Sequence, residues 1–469
     1  MKVEQIYTGC LAQGSYYIES NGEAAVIDPL REVDGYIALA KERGANIKYV
    51  FETHFHADFV SGHVTLSRET GAPIVFGPGA KTGFDALIAE DNQEFKIGNV
   101  SIKVLHTPGH TLESSCYLLN DENGAPHSLF SGDTLFLGDV GRPDLAQKSN
   151  EITQDDLAGM LYDSLRNKVM VLPDDTTIYP GHGAGSACGK NMSKETVGKL
   201  GEQKETNYAL RADMTKEEFI KEVTDGLAKP PAYFPDNVRM NKSGYEDVSA
   251  LVNNSKELST NEFKSLSEDE RTIVLDVRTQ FDFVEGFIPG SIFIGINGGF
   301  APWVGAILKD VQVPILLVAP EGKEDETITR LSRVGFDNVL GYLKGGFDAW
   351  KNAGQEIDTI ESVSVDDYLK QQNEDNLPVF DVRKDGEYQS EYVLGAKHTA
   401  LSRIEDHLGD YPSEGKFFVH CAGGYRSVIA ASILKRNGIA NMIDVKGGFG
   451  AMKKAGVEVT EYVCPSTLS

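Results

Sequence analysis

Thr53-His54-Phe55-His56-Ala57-Asp58-Phe59-Val60-Ser61-Gly62-His63 places three histidines and an aspartate within eleven residues. The apolar run Tyr49-Val50-Phe51 before it reads as a buried strand, and Ser61-Gly62 reads as a turn into a helix starting near His63. His54 and His56 then leave one strand end two residues apart, close enough for both imidazoles to face one cavity. Such histidines could simply cap a strand, but matching donors return further on. His106-Thr107-Pro108-Gly109-His110 offers a histidine after a tight turn, Ser131-Gly132-Asp133 a carboxylate after the strand Leu129-Phe130, and Tyr179-Pro180-Gly181-His182 another imidazole. Singly these are common turn dipeptides; in this order, at successive strand ends, they describe a metal site.

The surrounding chain alternates strands with helices. Gln5-Ile6-Tyr7, Ser15-Tyr16-Tyr17-Ile18 and Ala24-Ala25-Val26-Ile27-Asp28 read as strands, and Tyr36 to Arg43 as a helix ended by Gly44. Further strands are expected at Ile74-Val75-Phe76, Ile102-Lys103-Val104, Tyr117-Leu118-Leu119 and Ile178-Tyr179. Seven of the ten histidines fall before residue 190, so a histidine-built centre belongs there. Residues 191 to about 250 are more helical and charged, and Lys229-Pro230-Pro231-Ala232-Tyr233-Phe234-Pro235 reads as the end of the first domain with a linker.

The remainder repeats. Val274-Leu275-Asp276-Val277-Arg278 answers Val379-Phe380-Asp381-Val382-Arg383, offset by 105 positions. Leu343-Lys344-Gly345-Gly346-Phe347 answers Val445-Lys446-Gly447-Gly448-Phe449, offset by 102. A period near 100 residues describes two copies of one α/β domain rather than a solenoid. The expected boundaries are 1–250, 251–360 and 361–469, and a length of 469 residues suits about three domains.

A net charge of -25 argues against nucleic-acid or anionic-membrane partners, which need a basic face. No stretch approaches the ~18 apolar residues of a membrane span, and Met1-Lys2-Val3-Glu4 runs into a strand pattern, so a cytoplasmic protein is expected. Cys10, Cys116, Cys188, Cys421 and Cys464 are odd in number and scattered, as reduced thiols are.

The His54, His56, Asp58, His110, Asp133 and His182 motifs together resemble the metallo-β-lactamase superfamily, which implies a four-layer αββα sandwich with ligands gathered at one sheet edge. Its usual motif is His-x-His-x-Asp-His, and Phe59 stands at the last position. In two-metal members that histidine and the preceding aspartate serve the second metal, so a phenyl ring there favours one metal. Thr53-His54-Phe55-His56-Ala57-Asp58 with Ser61-Gly62 and Gly141-Arg142-Pro143-Asp144-Leu145 is similar to the persulfide dioxygenases of that superfamily. This resemblance implies one Fe(II) per chain held by His54, His110 and Asp133, a set that leaves open positions for dioxygen and substrate. His56, Asp58 and His182 would orient ligands or accept protons, with His56 as a fourth ligand the arrangement that would favour zinc and hydrolysis.

The same resemblance places Arg142 and Tyr179 near substrate, where Arg142 would bind a carboxylate or phosphate of the thiol carrier. By residue type alone Arg142 is equally a surface arginine. Gly181-His182-Gly183-Ala184-Gly185-Ser186-Ala187-Cys188-Gly189-Lys190 is not a phosphate loop, since its glycine spacing is wrong and Asn191 follows the lysine. Its glycines bring Cys188 near the site, where Cys188 matches a cysteine of the rhodanese-fused branch that could exchange sulfur; an inert buried thiol is the alternative.

In the last copy, Phe417-Phe418-Val419-His420-Cys421-Ala422-Gly423-Gly424-Tyr425-Arg426-Ser427 sets a cysteine between a buried strand and a helix N-terminus. Backbone N–H groups there stabilise an anion. Gly423 and Gly424 let the loop curl around substrate, and Arg426 would close it. The pattern resembles a rhodanese, a sulfurtransferase whose cysteine carries sulfane sulfur. An offset of 102 brings Cys421 onto Ala319 and Arg426 onto Glu324, so the middle copy is expected to be inactive. The resemblance as a whole implies oxidation of a glutathione, coenzyme A or similar persulfide by O2 to sulfite and thiol, then sulfur transfer from Cys421 to sulfite. Its alternative is a glyoxalase II-like zinc thioester hydrolase fused to a sulfurtransferase. The sequence leaves the oligomeric state open, a homo-oligomer included.

Overall fold

The computed structural model describes residues 1–147, 151–190 and 192–463, so Cys464 lies outside the described residues. These fall into two compact units, one within residues 1–250 and 331–335, the other within residues 251–330 and 336–463. None of the helices is long and apolar enough to cross a membrane.

The first unit holds two six-stranded sheets. One runs Lys2–Thr8, Gln13–Ser20, Glu23–Ile27, Asn46–Phe51, Ile74–Phe76, Leu87–Ile88. The other runs Gly198–Lys199, Thr177–Pro180, Pro126–Gly132, Ser115–Asn120, Val100–His106, Glu94–Ile97. The first begins antiparallel and becomes parallel from Glu23–Ile27 onward.

Alternation along the strands builds the layers, because successive side chains point to opposite faces. Tyr16 and Ile18, Ala25 and Ile27, Phe51, Tyr117 and Leu119, and Phe130 face inward and meet in one core between the sheets. Their neighbours Tyr17, Ala24, Val26 and Val50 face outward under the helices Asp34–Arg43 and His63–Thr70, through Tyr36, Ala40 and Leu66. Cys116, Leu118, Leu129 and Ile178 do the same under Gln154–Ser164 and Lys216–Thr224, through Ala158, Leu161, Phe219 and Val223. The result is the αββα sandwich. Capping supports the outer helices: Thr153 with Asp156, and Thr215 with Glu218, form reciprocal capping boxes.

The stretch read as a linker is folded. Tyr233 and Phe234 are buried, and Phe234–Ser243 is a helix entered through Pro235, whose missing N–H is no loss in a first turn.

The second unit contains two five-stranded parallel sheets of identical strand order. Asp276 pairs with Val318 in the first, and Asp381 with His420 in the second. Ala319 therefore follows its strand where Cys421 follows its own, and Glu324 opens the next helix where Arg426 does. The helix Arg426–Arg436 is buried from Ser427 to Leu434, and the Phe293 N–H of the first copy donates to Ser432 Oγ at 3.1 Å.

Candidate metal centre and sulfur loop

The strand ends deliver the donors to one place. His54 and His56 follow Asn46–Phe51, His110 lies in the turn after Val100–His106, Asp133 directly follows Pro126–Gly132, and His182 follows Thr177–Pro180. His54, His110 and Asp133 offer atoms lying within 4.8 Å of one another, all buried. Asp133 Oδ2 is 3.4 Å from His110 Nε2 and 3.9 Å from His54 Nε2.

Hydrogen bonds on the far ring nitrogens set this geometry. His110 Nδ1 donates to the Arg142 carbonyl oxygen at 2.8 Å, which leaves Nε2 as a lone pair toward Asp133. Thr53 Oγ1 donates to Asp28 Oδ2 at 2.8 Å and accepts from His54 Nδ1 at 3.0 Å, fixing the same tautomer there. Burial, then the neighbouring His56, His110 and His182, hold the His54 imidazole well below the ordinary range, so it is neutral. Both Asp133 oxygens are buried without a hydrogen-bond partner among the described residues. Two imidazole lone pairs converging on an unpartnered carboxylate form a donor set that a divalent cation satisfies. Gly141 is required beside it, since a Cβ there would lie 1.9 Å from the Asp133 carbonyl oxygen.

A second cluster adjoins the first. His56, Asp58 and His182 also lie within 4.8 Å of one another. His182 Nε2 is 3.2 Å from Asp58 Oδ2 and 3.7 Å from Asp133 Oδ1. Burial alone would depress His182, but Asp58 and Asp133 outweigh it and hold the imidazole well above its ordinary value. Burial would likewise raise Asp58, yet His182 outweighs it and lowers the carboxyl. His56 Nε2 turns toward Asp28 Oδ1 at 3.2 Å and Glu52 Oε2 at 3.4 Å. Against the burial that would lower it, those carboxylates lift His56 to about 10. His63 stays out of these clusters, its ring among Phe76, Phe84 and Tyr245.

Cys188 falls beside the centre, within 4.8 Å of Asp133 and His182. The Arg142 N–H donates to its carbonyl at 3.0 Å. Burial, then Asp58 and Asp133, push its thiol up to about 12, so it stays protonated.

Two residues expected to face substrate are engaged elsewhere. Arg142 is buried, neither a surface arginine nor a free clamp: its guanidinium makes a bidentate pair with Asp144 at 2.6 and 2.8 Å and donates to the Ala187 and Ala228 carbonyls. Four of its five donors are thereby used within the chain. Tyr179 points into the inter-sheet core, its ring stacked on Phe130 and edge-on to Tyr16. Strand alternation decides this, because Ile178 takes the outward position.

The sequence assigns no role to Asp28, Glu52, Thr53 or Asn241, yet they hold the ligand loop. Asn241 binds the His56 and Phe59 carbonyls and the Ser61 N–H. Asp28 carried the clearest available signal, a carboxylate ending the apolar strand Ala24-Ala25-Val26-Ile27, and it adopts a left-handed φ of 50°.

In the second unit, Cys421 is buried and its Sγ accepts the Gly424 N–H at 3.1 Å. Gly424 reaches this through a φ of +93°, while Gly423 is exposed. Arg426 does not close on the sulfur: its guanidinium pairs with Glu387 at 2.6 and 2.8 Å. The Asp381–Arg383 pair is repeated by Asp276–Arg278, each arginine lying over a phenylalanine, so this motif belongs to the domain frame and not to the sulfur loop.

The metallo-beta-lactamase superfamily matches residues 8–182, and the rhodanese-like domain matches residues 259–353 and 364–455. A probable hydroxyacylglutathione hydrolase of Schizosaccharomyces pombe is 32% identical over 168 residues, which is 35% of this chain and 60% of the relative. This chain thus spans less than two thirds of that relative's length. A metallo-beta-lactamase structure from Staphylococcus aureus subsp. aureus COL is 30% identical, with a TM-score of 0.65, covering 73% of this chain and 99% of that one. The structure of ETHE1 from Myxococcus xanthus is 28% identical over 52% of this chain and 99% of that one, and its TM-score of 0.44 is too low to carry weight. The chain belongs to the metallo-β-lactamase superfamily, its sandwich followed by two rhodanese-like domains.

Proposed function

We propose that the chain is a persulfide dioxygenase joined to a sulfurtransferase. The observation that supports it is the pairing of a one-metal donor set, His54, His110 and Asp133, with Phe59 seated against His56 where a second-metal histidine is usual. Two histidines and one carboxylate suit Fe(II). Iron, when bound, supplies the redox chemistry that joins dioxygen to sulfur. The protein's part is positional: Thr53 and the Arg142 carbonyl hold the ligand tautomers, and the buried surroundings exclude water. One persulfide, one dioxygen and one water give one thiol, one sulfite and two protons.

The second activity follows on Cys421. Its thiolate attacks the terminal sulfur of another persulfide, the S–S bond breaks, and the carrier leaves as thiolate. Sulfite then takes that outer sulfur, giving thiosulfate and restoring the cysteine. The Gly424 N–H steadies the sulfur throughout. Ala319 supplies no thiol and Glu324 reverses the charge, so the first rhodanese copy is inactive.

The similarity to a hydroxyacylglutathione hydrolase favours a second reading, a zinc thioester hydrolase joined to the sulfurtransferase. Metal analysis after anaerobic purification separates them. One iron per chain with oxygen uptake on glutathione persulfide is the expected result, and two zincs with thioester cleavage would overturn it.

A further inference from the structure

Tyr233, Asn237 and Asn241 recur every fourth residue across the start of the helix Phe234–Ser243, so their side chains share one face, a turn apart. Both ends of that face meet the ligand loop. Asn241 is saturated: Nδ2 donates to the His56 and Phe59 carbonyls at 2.8 Å, and Oδ1 accepts the Ser61 N–H at 2.9 Å. The Tyr233 hydroxyl lies 3.5 Å from the Asp58 carbonyl oxygen, and Asp58 and Cys188 are its electrostatic neighbours.

Asn237 stands between these two anchors. It is fully buried, and neither Oδ1 nor Nδ2 has a hydrogen-bond partner among the described residues. The helix geometry aims it at the segment that Tyr233 and Asn241 both touch, where Asp58 Oδ1 is likewise buried and unpartnered. The other unpartnered groups nearby, on Asp133, His56 and His182, are imidazoles and carboxylates of the kind a cation satisfies. A neutral carboxamide is a poor ligand for such an ion and a good partner for a small molecule, since it both donates and accepts.

We propose that Asn237 is a substrate-binding residue, its carboxamide hydrogen-bonding the reacting group of the small molecule held at the His54, His110 and Asp133 centre. The identity of that group, the terminal sulfur of a persulfide, rests on the function proposed above. The two Nδ2 hydrogens suit an anionic sulfur, and Oδ1 accepts from its protonated form.

Asn237→Leu and Asn237→Asp, both near Asn in size, test this in the full-length chain through metal content, melting temperature, and the KM and kcat of oxygen uptake with glutathione persulfide. The expected Leu variant keeps its metal, melts no lower than the wild type because an unpartnered buried amide has been replaced by an apolar group, and loses roughly 10- to 100-fold in kcat/KM. The Asp variant should lose more, chiefly through KM, because its carboxylate repels the sulfur anion. A Leu variant within about twofold of wild type in kcat/KM would overturn the assignment. So would a loss of activity that follows a fall in metal content or melting temperature, which would mark Asn237 as structural. If the wild type takes up no oxygen but cleaves a glutathione thioester, the persulfide reading fails on its own. The same variants assayed on the thioester then decide Asn237: impaired hydrolysis with metal intact supports a substrate contact, and unchanged hydrolysis removes it.

Discussion

The phenyl ring of Phe59 lies 4.3 Å from the His56 imidazole, centroid to centroid, and is fully buried. It occupies space beside His56, one of three groups, with Asp58 and His182, that already converge within 4.8 Å. Phe59→His should therefore add the missing donor and raise the metal content from the proposed one ion per chain to two, read by inductively coupled plasma mass spectrometry. A variant that still binds one ion would show that Phe59 does not set the stoichiometry.

The His110 bond to the Arg142 carbonyl makes the ligand set directly testable. His110→Ala should lose most of the bound metal and reduce oxygen uptake by about 100-fold or more. Chelation of the wild type should lower the melting temperature, because the ion stabilises the folded chain by mass action and the Asp133 oxygens have no hydrogen-bond partner among the described residues. Oxygen uptake that survives His110→Ala would remove it from the set.

Cys421 and Ala319 occupy equivalent strand ends with opposite consequences. Cys421→Ser should leave oxygen uptake within about twofold of wild type and abolish thiosulfate formation, followed by oxygen electrode and by thiosulfate assay. Loss of both activities together would show that the sulfur loop and the metal centre are not separable.

The Glu387–Arg426 pair gives a pH dependence. Burial would raise the Glu387 carboxyl, but Arg426 outweighs it and lowers it. A carboxylate lowered on folding stabilises above its unfolded range, and that contribution is lost as pH falls through the folded value. Glu387→Gln should thus be less stable than wild type at pH 7, by roughly 0.5–1 kcal/mol for a partly exposed pair in urea unfolding, with the gap closing as the pH is lowered through the carboxylate range. A gap that persists in acid would assign it to packing instead.

Much of the architecture was legible because it rests on local chemistry. Continuous apolar runs such as Tyr16-Tyr17-Ile18 and Tyr117-Leu118-Leu119 mark strands buried on both faces, and the repeated Asp-Val-Arg and Lys-Gly-Gly-Phe phrases mark a duplicated domain. Arg142 and Tyr179 were less legible, since residue type does not say which face of a strand or which carbonyl a side chain will find. The acidic partner of Arg426 lies 39 positions away in sequence and has no local signature.

By itself, then, the sequence determined the alternation of strands and helices and the duplicated α/β domain, because periodicity and turn residues act over a few positions, and its motifs carried the resemblance that implied the sandwich and nominated the donors. Only the tertiary structure decided how those donors are used. It set the tautomers of His54 and His110 through Thr53 and a distant carbonyl, and committed Arg142 to Asp144 and Arg426 to Glu387. It also folded the stretch around Tyr233 and Asn237 onto the ligand loop. The physical reason is range: hydrogen bonds and ion pairs depend on three-dimensional distance, which the close packing of the sheets and helices fixes and the linear order of residues does not.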